Sequence, residues 1–199
     1  MTEQRRTRLD PDARRAQLVE LGVQALATTS LYDINLDQLA ATAGISRSLL
    51  FHYFGSKRRY QLAVVQAAAA GLLHGTEPDT ELPPARQLRQ SIEDSVDYVS
   101  SRREVYLSLV RGAASGDADM QRIFDSTRAA LVDRIMAGIA ELGGDADDPL
   151  LPIAVRSWLA FTEEAIISWT PGGPVPRARL TDFLESAFYR AVLGGATGR

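Results

Sequence analysis

Apolar side chains recur at intervals of three and four residues along most of the chain, and no segment alternates apolar and polar positions long enough to predict a strand. The pattern therefore predicts an all-α fold. The first helix is predicted to begin at Pro11, because Asp10 can cap the free N–H groups of the first turn and proline suits the first helical position. It extends to about Thr28, and its buried face holds Leu18, Leu21, Gly22 and Ala25.

Two short helices are predicted to follow close together. Asn35 caps the first in a box-like pattern with Gln38, and Gly44 ends it in the left-handed conformation that glycine adopts readily. Ser46 caps the second, which covers about residues 47–54. Two short helices joined by a turn that contains glycine are typical of the helix-turn-helix, in which the second helix lies in the major groove of DNA. The shared core is predicted to contain Leu36, Leu39, Ala40, Ala43, Ile45, Leu50 and Phe54.

The rest of the chain predicts a linking helix and a larger helical body. Ser56 caps the linking helix, which extends to about His74. Residues 75–84 combine glycine, three prolines and several acids, which predicts a loop and a domain boundary. We therefore expect a three-helix helix-turn-helix domain within residues 1–75 and a second domain over residues 76–199. Further helices are predicted at about 85–101, 104–114, 117–142, 150–169 and 179–193.

The composition argues against most catalytic and metal sites. The chain has no cysteine and two histidines, His52 and His74, which leaves no disulfide, no thiolate zinc site and no multi-histidine metal site. It also lacks a Ser-His-Asp arrangement and a glycine-rich phosphate loop, so we expect neither an enzyme nor a cofactor. The start of the chain has no apolar segment like that of a secretory signal, and no apolar run approaches ~18 residues. We expect a cytoplasmic protein with no membrane partner.

The charge is distributed unevenly along the chain. The first sixty residues carry nine basic and six acidic side chains, whereas the remainder carries 13 basic and 19 acidic ones. This distribution predicts an anionic partner for the first sixty residues, although a solvated charged tail would also produce it. The second short helix contains no acidic residue, as a surface that faces phosphates requires.

Three motifs carry a resemblance to a known family. They are A-x-x-A-G-I-S at residues 40–46, L-F-H-Y-F at 50–54 and G-S-K at 55–57. Residues 10–65 resemble the DNA-binding domain of the tetracycline-repressor (TetR) family of bacterial transcription regulators, and the remaining residues match that family in length and helical order. The resemblance implies a homodimeric repressor that binds a palindromic operator in double-stranded DNA. It also implies that residues 76–199 bind a small effector, which releases the DNA, and form the dimer.

The resemblance implies that the second short helix, at about residues 47–54, is the recognition helix, and it implies a role for each of its positions. Arg47 is the best candidate base reader, since its guanidinium can bond two acceptors of guanine, with a plain phosphate contact as the alternative. Tyr53 and Lys57 occupy positions that usually hold phosphate, and Lys57 also lies at a helix N-terminus. Asn35 and Ser46 are caps that could in addition touch phosphate. The predicted DNA-contacting residues are Asn35, Ser46, Arg47, Ser48, Leu49, Phe51, His52, Tyr53 and Lys57.

Two positions depart from the family pattern. Phe51 stands where the family commonly has tyrosine, so a hydroxyl bond to phosphate is lost. Leu49 stands where a small polar residue is frequent, and it could instead contact a thymine methyl group. His52 is expected to be a neutral side chain that faces solvent, with a phosphate contact as the alternative. The N-terminal arm is expected to add non-specific affinity rather than to enter the minor groove, through Arg5, Arg6 and Arg8.

The second domain holds most of the aromatic residues, and most of them must form its core. By resemblance, an effector cavity lies among the helices between residues 85 and 170, and the aromatic bias favours an apolar or planar effector. Arg111, Glu163 and Glu164 are either polar anchors for it or surface charges. The candidate lining residues are Tyr98, Tyr106, Leu109, Met120, Phe124, Met136, Trp158 and Phe161.

The last two predicted helices are apolar over wide stripes. By resemblance, they pair across a two-fold axis into a four-helix bundle, whereas packing within the monomer is the alternative. The candidate interface residues are Leu151, Leu159, Ile166, Leu180, Phe183, Leu184, Ala187, Phe188 and Ala191.

A competing hypothesis for the whole chain is a helical interaction module that no longer binds DNA. The presence of Arg47, Tyr53 and Lys57 argues against it.

Overall fold

The computed structural model describes residues 10–104, 106, 107, 110 and 116–194. Within these residues the chain is all-α, as predicted, and has no strand. A 3-10 turn precedes the second helix, and one π-helical turn follows the last. The helices are α1 Pro11–Ala25, α2 Leu36–Thr42, α3 Arg47–Phe54, α4 Lys57–Gly75, α5 Pro84–Ser101, α6 Ala118–Gly138, α7 Leu151–Ser168 and α8 Arg177–Phe188.

The predicted caps define the helix boundaries in the first half of the chain. The Asn35 side chain accepts hydrogen bonds from the backbone N–H groups of Asp37 and Gln38 at 3.0 and 3.1 Å. The Ser46 hydroxyl accepts one from the backbone N–H of Leu49 at 3.2 Å. Gly44 has a φ of 67°, so the turn between α2 and α3 uses the left-handed conformation predicted for it.

Several helix ends differ from the prediction by a few residues. The first helix ends at Ala25 rather than near Thr28, because the chain turns there toward the 3-10 turn Leu31–Asp33. The sixth helix ends at Gly138 instead of reaching residue 142. The helix predicted at 104–114 falls largely outside the described residues, although residues 103, 104, 106, 107 and 110 are helical.

The first four helices share an N-terminal cluster of buried apolar side chains. Tyr60 of α4 lies at its centre, where its hydroxyl donates a hydrogen bond of 2.8 Å to the backbone carbonyl of Leu18. The Tyr60 ring packs edge-to-face against Phe54, with 4.9 Å between the ring centroids. Burial raises the pKa of the Tyr60 hydroxyl. These contacts hold α4 against both α1 and the recognition helix α3.

The last four helices surround a second, C-terminal cluster. The Trp158 indole N–H donates to the backbone carbonyl of Leu184 at 3.1 Å, and its ring packs edge-to-face on Phe188 at 5.0 Å. Ion pairs join α5 to α8 on the outside, where Arg89 reaches Asp182 at 2.9 Å and Glu185 at 2.6 Å. One apolar core therefore holds α5, α7, α8 and the C-terminal part of α6 together.

Helices α4 and α6 extend from one cluster to the other. Leu72 of α4 belongs to the C-terminal cluster, whereas Met120 and Ile123 of α6 are buried in the N-terminal one. Met120 is predicted to line a ligand cavity, but the structure buries it in the N-terminal cluster instead. Two continuous helices thus connect the head of the molecule, which is formed by α1–α4 around the N-terminal cluster, with its body around the C-terminal cluster.

Most residues predicted for the dimer interface are covered by their own chain. The reason is that an apolar stripe at helical spacing identifies a buried face, but not the chain that covers it. Packing within the monomer, the alternative considered above, describes these positions. The residues so buried are Leu151, Leu159, Ile166, Leu180, Leu184 and Phe188. Phe183 and Ala191 remain exposed and Ala187 is half-buried.

Candidate nucleic-acid interface and ligand cavity

The recognition helix α3 presents one exposed polar face. Its N-terminal turn exposes Arg47, Ser48 and Leu49, and the next turn exposes His52. Phe51 and Tyr53 are half-buried and pack against the N-terminal cluster. The six predicted contact residues on α3 therefore separate into four that face solvent and two aromatic residues that are half-buried.

Arg47 is held in place by two neighbours. Its Nη1 lies 2.8 Å from Oδ2 of Asp37, which is on α2. Its guanidinium also lies 5.5 Å from the ring centroid of Phe51, within the range of a cation–π contact. Both charged side chains are more than half exposed, so DNA would have to compete only with a solvated ion pair, which is weak. Asp37 was not singled out by the sequence pattern, because nothing local links positions ten residues apart.

The N-terminus of α4 adds positive charge beside α3. The Lys57 ammonium group donates a hydrogen bond of 2.9 Å to the backbone carbonyl of Tyr32, which fixes its position near the helix end. Arg59 is exposed, and Arg15 of α1 lies 5.0 Å from the ring of Phe54. A helix N-terminus favours anions through its free N–H groups. This arrangement can attract phosphates next to the C-terminal end of α3, which is followed directly by α4.

Arg58 points to a different partner from its neighbours Lys57 and Arg59, because it contacts the start of α6. It forms a bidentate pair with Asp117, the cap of α6, at 2.6 and 2.9 Å, and it also reaches Asp119 at 2.7 Å. Hydrogen bonding to Arg58 lowers the pKa of Asp117 from 3.8 to about 2. The sequence pattern did not reveal this pair, whose members are separated by 59 positions.

A cavity of about 130 Å³ lies in the C-terminal body. It is bordered by α5, α6, α7, the end of α8 and the segment after α4. Most of its wall is apolar, and its polar wall residues are Thr76, Gln87, Ser91, Ser95, Arg134, Glu141 and Thr162. The Thr162 side chain is buried, and its hydroxyl has no hydrogen-bond partner within the part of the chain that the structure describes.

The predicted cavity residues are distributed over several places. Trp158 lines the cavity, whereas Tyr98 and Tyr106 line a separate pocket of about 20 Å³. Met136 packs at the edge of the C-terminal cluster, and Phe124, like Met120, packs at the N-terminal one. Phe161 is exposed, and Leu109 and Arg111 lie outside the described residues. Residues not anticipated from the sequence, Arg134 and Thr162 among them, supply the polar groups of the cavity.

Glu163 and Glu164 have different surroundings. Glu163 is half-buried beside Arg128, whose Nε lies 3.3 Å from its Oε1. Burial raises the pKa of Glu163, and burial together with the adjacent Glu163 raises the pKa of Tyr106. Glu164 is exposed and accepts a hydrogen bond from Ser168. Neither glutamate borders the cavity, so the two are not anchors for a ligand within it.

An exposed aromatic pair lies on α7 and α8. The rings of Phe161 and Phe183 are 5.3 Å apart, and these residues are 39% and 54% exposed. Ile153, at the other end of α7, is also exposed. Large apolar groups on adjacent helices at a surface are typical of protein interfaces.

Among the described residues, every helix is too short or too polar to span a lipid bilayer, and no group of acidic or histidine side chains is placed to bind a metal.

Comparison with known proteins identifies the family. Residues 84–191, over half of the chain, match the family model of the tetracyclin repressor-like C-terminal domain. The HTH-type transcriptional activator FasR of Mycolicibacterium smegmatis is 28% identical over 104 residues, which are 51% of this chain and 48% of FasR. The chain thus matches about half the length of this curated relative.

Solved structures agree with that assignment. A TetR-family transcriptional regulator from Streptomyces coelicolor superimposes with a TM-score of 0.81 at 27% identity, over 92% of this chain and 82% of that one. A TetR-like transcriptional regulator from Rhodococcus sp. RHA1 has the same fold, with a TM-score of 0.67 at 23% identity, over 96% of this chain and all of the other. The chain belongs to the TetR family.

Proposed function

We propose that this regulator is a homodimer that represses transcription from a palindromic operator and is released by a small effector. The observation that carries the proposal is the exposed face of α3, on which Arg47, Ser48, Leu49 and His52 face solvent. No acidic residue occurs in α3, and the exposed carboxylate of Asp37 on α2, beside Arg47, is paired with that arginine.

The proposed DNA contacts divide into two kinds. Arg47, Ser48 and Leu49 are at the N-terminal end of α3, the end that contacts base edges in helix-turn-helix proteins. Tyr53 and Lys57 contact phosphates at the groove edge, because they lie at the end of α3 and the start of α4. Phosphate contacts orient the protein, and base contacts select the sequence. Asn35, Ser46, Phe51 and His52 complete the proposed contact set.

The proposed dimer forms through α7 and α8. Phe161 and Phe183 form an exposed apolar pair there, and Ala187 and Ala191 leave room for a second helix to approach. The residues buried beneath them support this surface without taking part in it. A two-fold axis would place two copies of α3 roughly one turn of DNA apart, at ~34–36 Å, and this spacing requires a palindromic operator.

The proposed effector site is the cavity of the C-terminal body. It is apolar with a few polar groups, which is the usual composition of a small-molecule site. Its wall includes Thr76, just after α4, and residues of α6. Both of these helices also reach the N-terminal cluster, so a change in the cavity wall has a direct route to α3.

Selection from a random pool of DNA duplexes tests the proposal. We expect the protein to enrich a palindrome and to bind it as a dimer, and to bind unselected duplexes more weakly and in a strongly salt-dependent manner. The double variant R47A/K57A is expected to enrich nothing, whereas R86A, which removes an exposed arginine of α5, is expected to enrich the wild-type sequence. If the wild type bound no duplex at low salt, the chain would be an interaction module instead.

One comparison favours activation of transcription instead of repression, because the matched relative FasR is named an activator. Transcription in vitro from a promoter that contains the selected palindrome distinguishes the two. We expect less transcript in the presence of the protein, and recovery when an effector is added. An increase in transcript on addition of the protein would make it an activator.

A further inference from the structure

Arg134 connects the cavity to the C-terminal end of α4. It is a residue of α6 and borders the cavity. Its Nη1 donates to the backbone carbonyl of Thr76 at 2.9 Å and to the Thr76 hydroxyl at 3.2 Å, and its Nη2 donates to the backbone carbonyl of Leu73 at 2.9 Å. A cation at the end of a helix stabilises that end, because the last carbonyl groups have no helical donors and carry a partial negative charge.

The helix held in this way begins at the proposed DNA contacts. Lys57 is its first residue, and Tyr60 packs it against the recognition helix through Phe54. Arg58 joins its N-terminus to α6, and Arg134 joins its C-terminus to the same helix. A movement of Arg134 would therefore release one of the two ends by which α4 is attached to α6.

The cavity wall has few charges. Arg134 and Glu141 are the charged residues among the described lining, and Glu141 is exposed. The remaining surface is apolar apart from hydroxyl and amide groups. The guanidinium is thus the strongest recognition group near the apolar wall, and it pairs best with a carboxylate, which can accept two parallel hydrogen bonds from it.

We propose that the effector is a small carboxylic acid with an apolar body, and that its carboxylate displaces the carbonyl groups of Leu73 and Thr76 from Arg134. The proposal rests on the proposed function, since it names the ligand class and the trigger of the same site. A charged acceptor binds a guanidinium more strongly than neutral carbonyl groups do. The carboxylate therefore binds the Arg134 guanidinium in place of these carbonyl groups, and the end of α4 loses its hydrogen bonds to α6.

The cavity limits the size of the apolar body. A volume of about 130 Å³ is close to that of the engineered cavity of roughly 150 Å³ that holds one benzene molecule. A single aromatic ring, or a branched chain of similar size, fills it. The buried hydroxyl of Thr162 offers one further hydrogen bond to a polar atom of the ligand.

Titration with a matched pair of probes tests the proposal. The acid is 3-phenylpropanoate and the neutral probe is its methyl ester. Binding is followed by calorimetry and by the tryptophan fluorescence of the chain, to which Trp158 of the cavity wall contributes. The variants are R134Q and R134K, with R156Q as the matched control that removes an exposed charge from α7. Thermal unfolding of each variant shows that it is folded.

The wild type and R156Q are expected to bind the acid at least about tenfold more tightly than the ester, as a charge-assisted hydrogen bond would produce. R134Q is expected to bind the two probes equally, and R134K is expected to retain part of the preference for the acid. Equal affinities of the wild type for acid and ester, a preference that persists in R134Q, or no binding of either probe would each overturn the proposal. If R134Q does not fold, the comparison of the two probes on the wild type and on R134K decides.

The release of DNA is measured separately with the selected palindrome. We expect the acid to weaken binding of the wild type to this duplex by about 5–150-fold, the usual range of such coupling, and the ester to leave it unchanged. R134Q is expected to bind the palindrome more weakly without any probe, because its α4 is already released. A protein that binds the acid through Arg134 but never binds DNA would contradict the proposed function and not the ligand class. Binding of the acid with no effect on a functional operator complex would overturn the trigger.

Discussion

Arg58 at the start of α4 and Asp117 at the start of α6 form a bidentate ion pair, with N–O distances of 2.6 and 2.9 Å. Asp117 at the same time caps α6, because its side chain accepts hydrogen bonds from the backbone N–H groups of Asp119 and Met120. One carboxylate therefore both begins α6 and attaches it to the helix that starts beside the recognition helix. This contact fixes the position of the head relative to the body at the end opposite to Arg134.

The pair predicts a dependence of stability on acid. The pKa of Asp117 is about 2 in the folded chain, because of its hydrogen bonds to Arg58, against an ordinary value of 3.8. The stabilisation is therefore complete above about pH 4 and is lost as the pH falls toward about 2. We expect D117N to remove this part of the pH dependence, since asparagine keeps the cap but not the charge.

Urea denaturation between pH 2 and pH 7 measures this effect. The control is D125N, which removes an exposed carboxylate from the same helix. The free energy of unfolding of the wild type and of D125N should fall together on acidification, whereas that of D117N should fall less between about pH 4 and about pH 2. A D117N curve parallel to the wild-type curve over that interval would mean that the pair contributes nothing to stability.

Arg47 and Lys57 are predicted to affect DNA binding differently. R47A should cost ~1–3 kcal/mol on the preferred palindrome and relax the choice of base at one position, because a bidentate contact to guanine is lost. K57A should weaken all sequences about equally and reduce the salt dependence by about one ion. Binding isotherms on the palindrome and on single-base variants, at several salt concentrations, measure both. Equal weakening of every sequence by R47A would assign Arg47 to phosphate.

The sequence predicted the helices of the head well because their ends are encoded locally. Asn35, Ser46 and Ser56 each accept a hydrogen bond from a backbone N–H within three residues, and glycines with positive φ end α2 and α3. Such signals depend on neighbouring positions and require no knowledge of tertiary packing. The exposed face of α3 could be predicted from the same pattern, because it lies opposite the apolar residues Leu50 and Phe54 that pack into the core.

Contacts between distant positions could not be predicted in this way. Arg58 and Arg134 resemble any other surface arginine in the sequence, and only the packing of α4 on α6 brings each to its acceptors, 58 to 61 positions away. The apolar stripes of α7 and α8 were predicted to form an interface between two chains. Leu184 and its buried neighbours are covered by their own chain in this structure, because helical spacing does not tell which chain covers a face.

The exposed aromatic pair predicts how the dimer can be disrupted. F183E places a charge where Phe183 now packs on Phe161 at the surface, so we expect monomers at micromolar concentration. A monomer loses the linkage between two half-sites, so its affinity for the palindrome should fall by about 10²–10⁴-fold. A129E adds the same charge to an exposed position of α6 and should remain a dimer. Sedimentation velocity measures the assembly state, and a dimeric F183E would place the interface elsewhere.

Thr162 and Thr127 form a matched pair of buried threonines. The Thr127 hydroxyl donates to the backbone carbonyl of Ile123 at 2.7 Å, whereas the Thr162 hydroxyl has no partner among the described residues. T127V should therefore lower the free energy of unfolding by about 0.5–1.5 kcal/mol, the usual contribution of one hydrogen bond. T162V removes a buried polar group without breaking a bond, so its stability should equal or exceed that of the wild type. Chemical denaturation compares the two, and a T162V loss as large as that of T127V would mean that the hydroxyl is bonded.

Gly22 allows α1 to approach α4 closely. A Cβ at this position would lie 2.4 Å from the Tyr60 hydroxyl oxygen and 2.5 Å from Cγ2 of Val64, distances that no real contact tolerates. G22A should therefore destabilise the fold by ~1–3 kcal/mol, as overpacking of a core does, although alanine is the better helix former. The Tyr60 hydroxyl would also be pushed from the Leu18 carbonyl that it bonds.

Gly138, at the end of α6, provides the control for that substitution. A Cβ there would meet no atom within 4 Å, so G138A should change the free energy of unfolding by no more than about 1 kcal/mol, and in the stabilising direction. Urea denaturation of both variants at pH 7 compares them directly. Because Tyr60 also contacts Phe54 of the recognition helix, G22A should weaken binding to the palindrome while the chain is still folded, and G138A should not. Equal stability of G22A and G138A would show that α1 and α4 separate without cost, and that the close approach at Gly22 does not position α3.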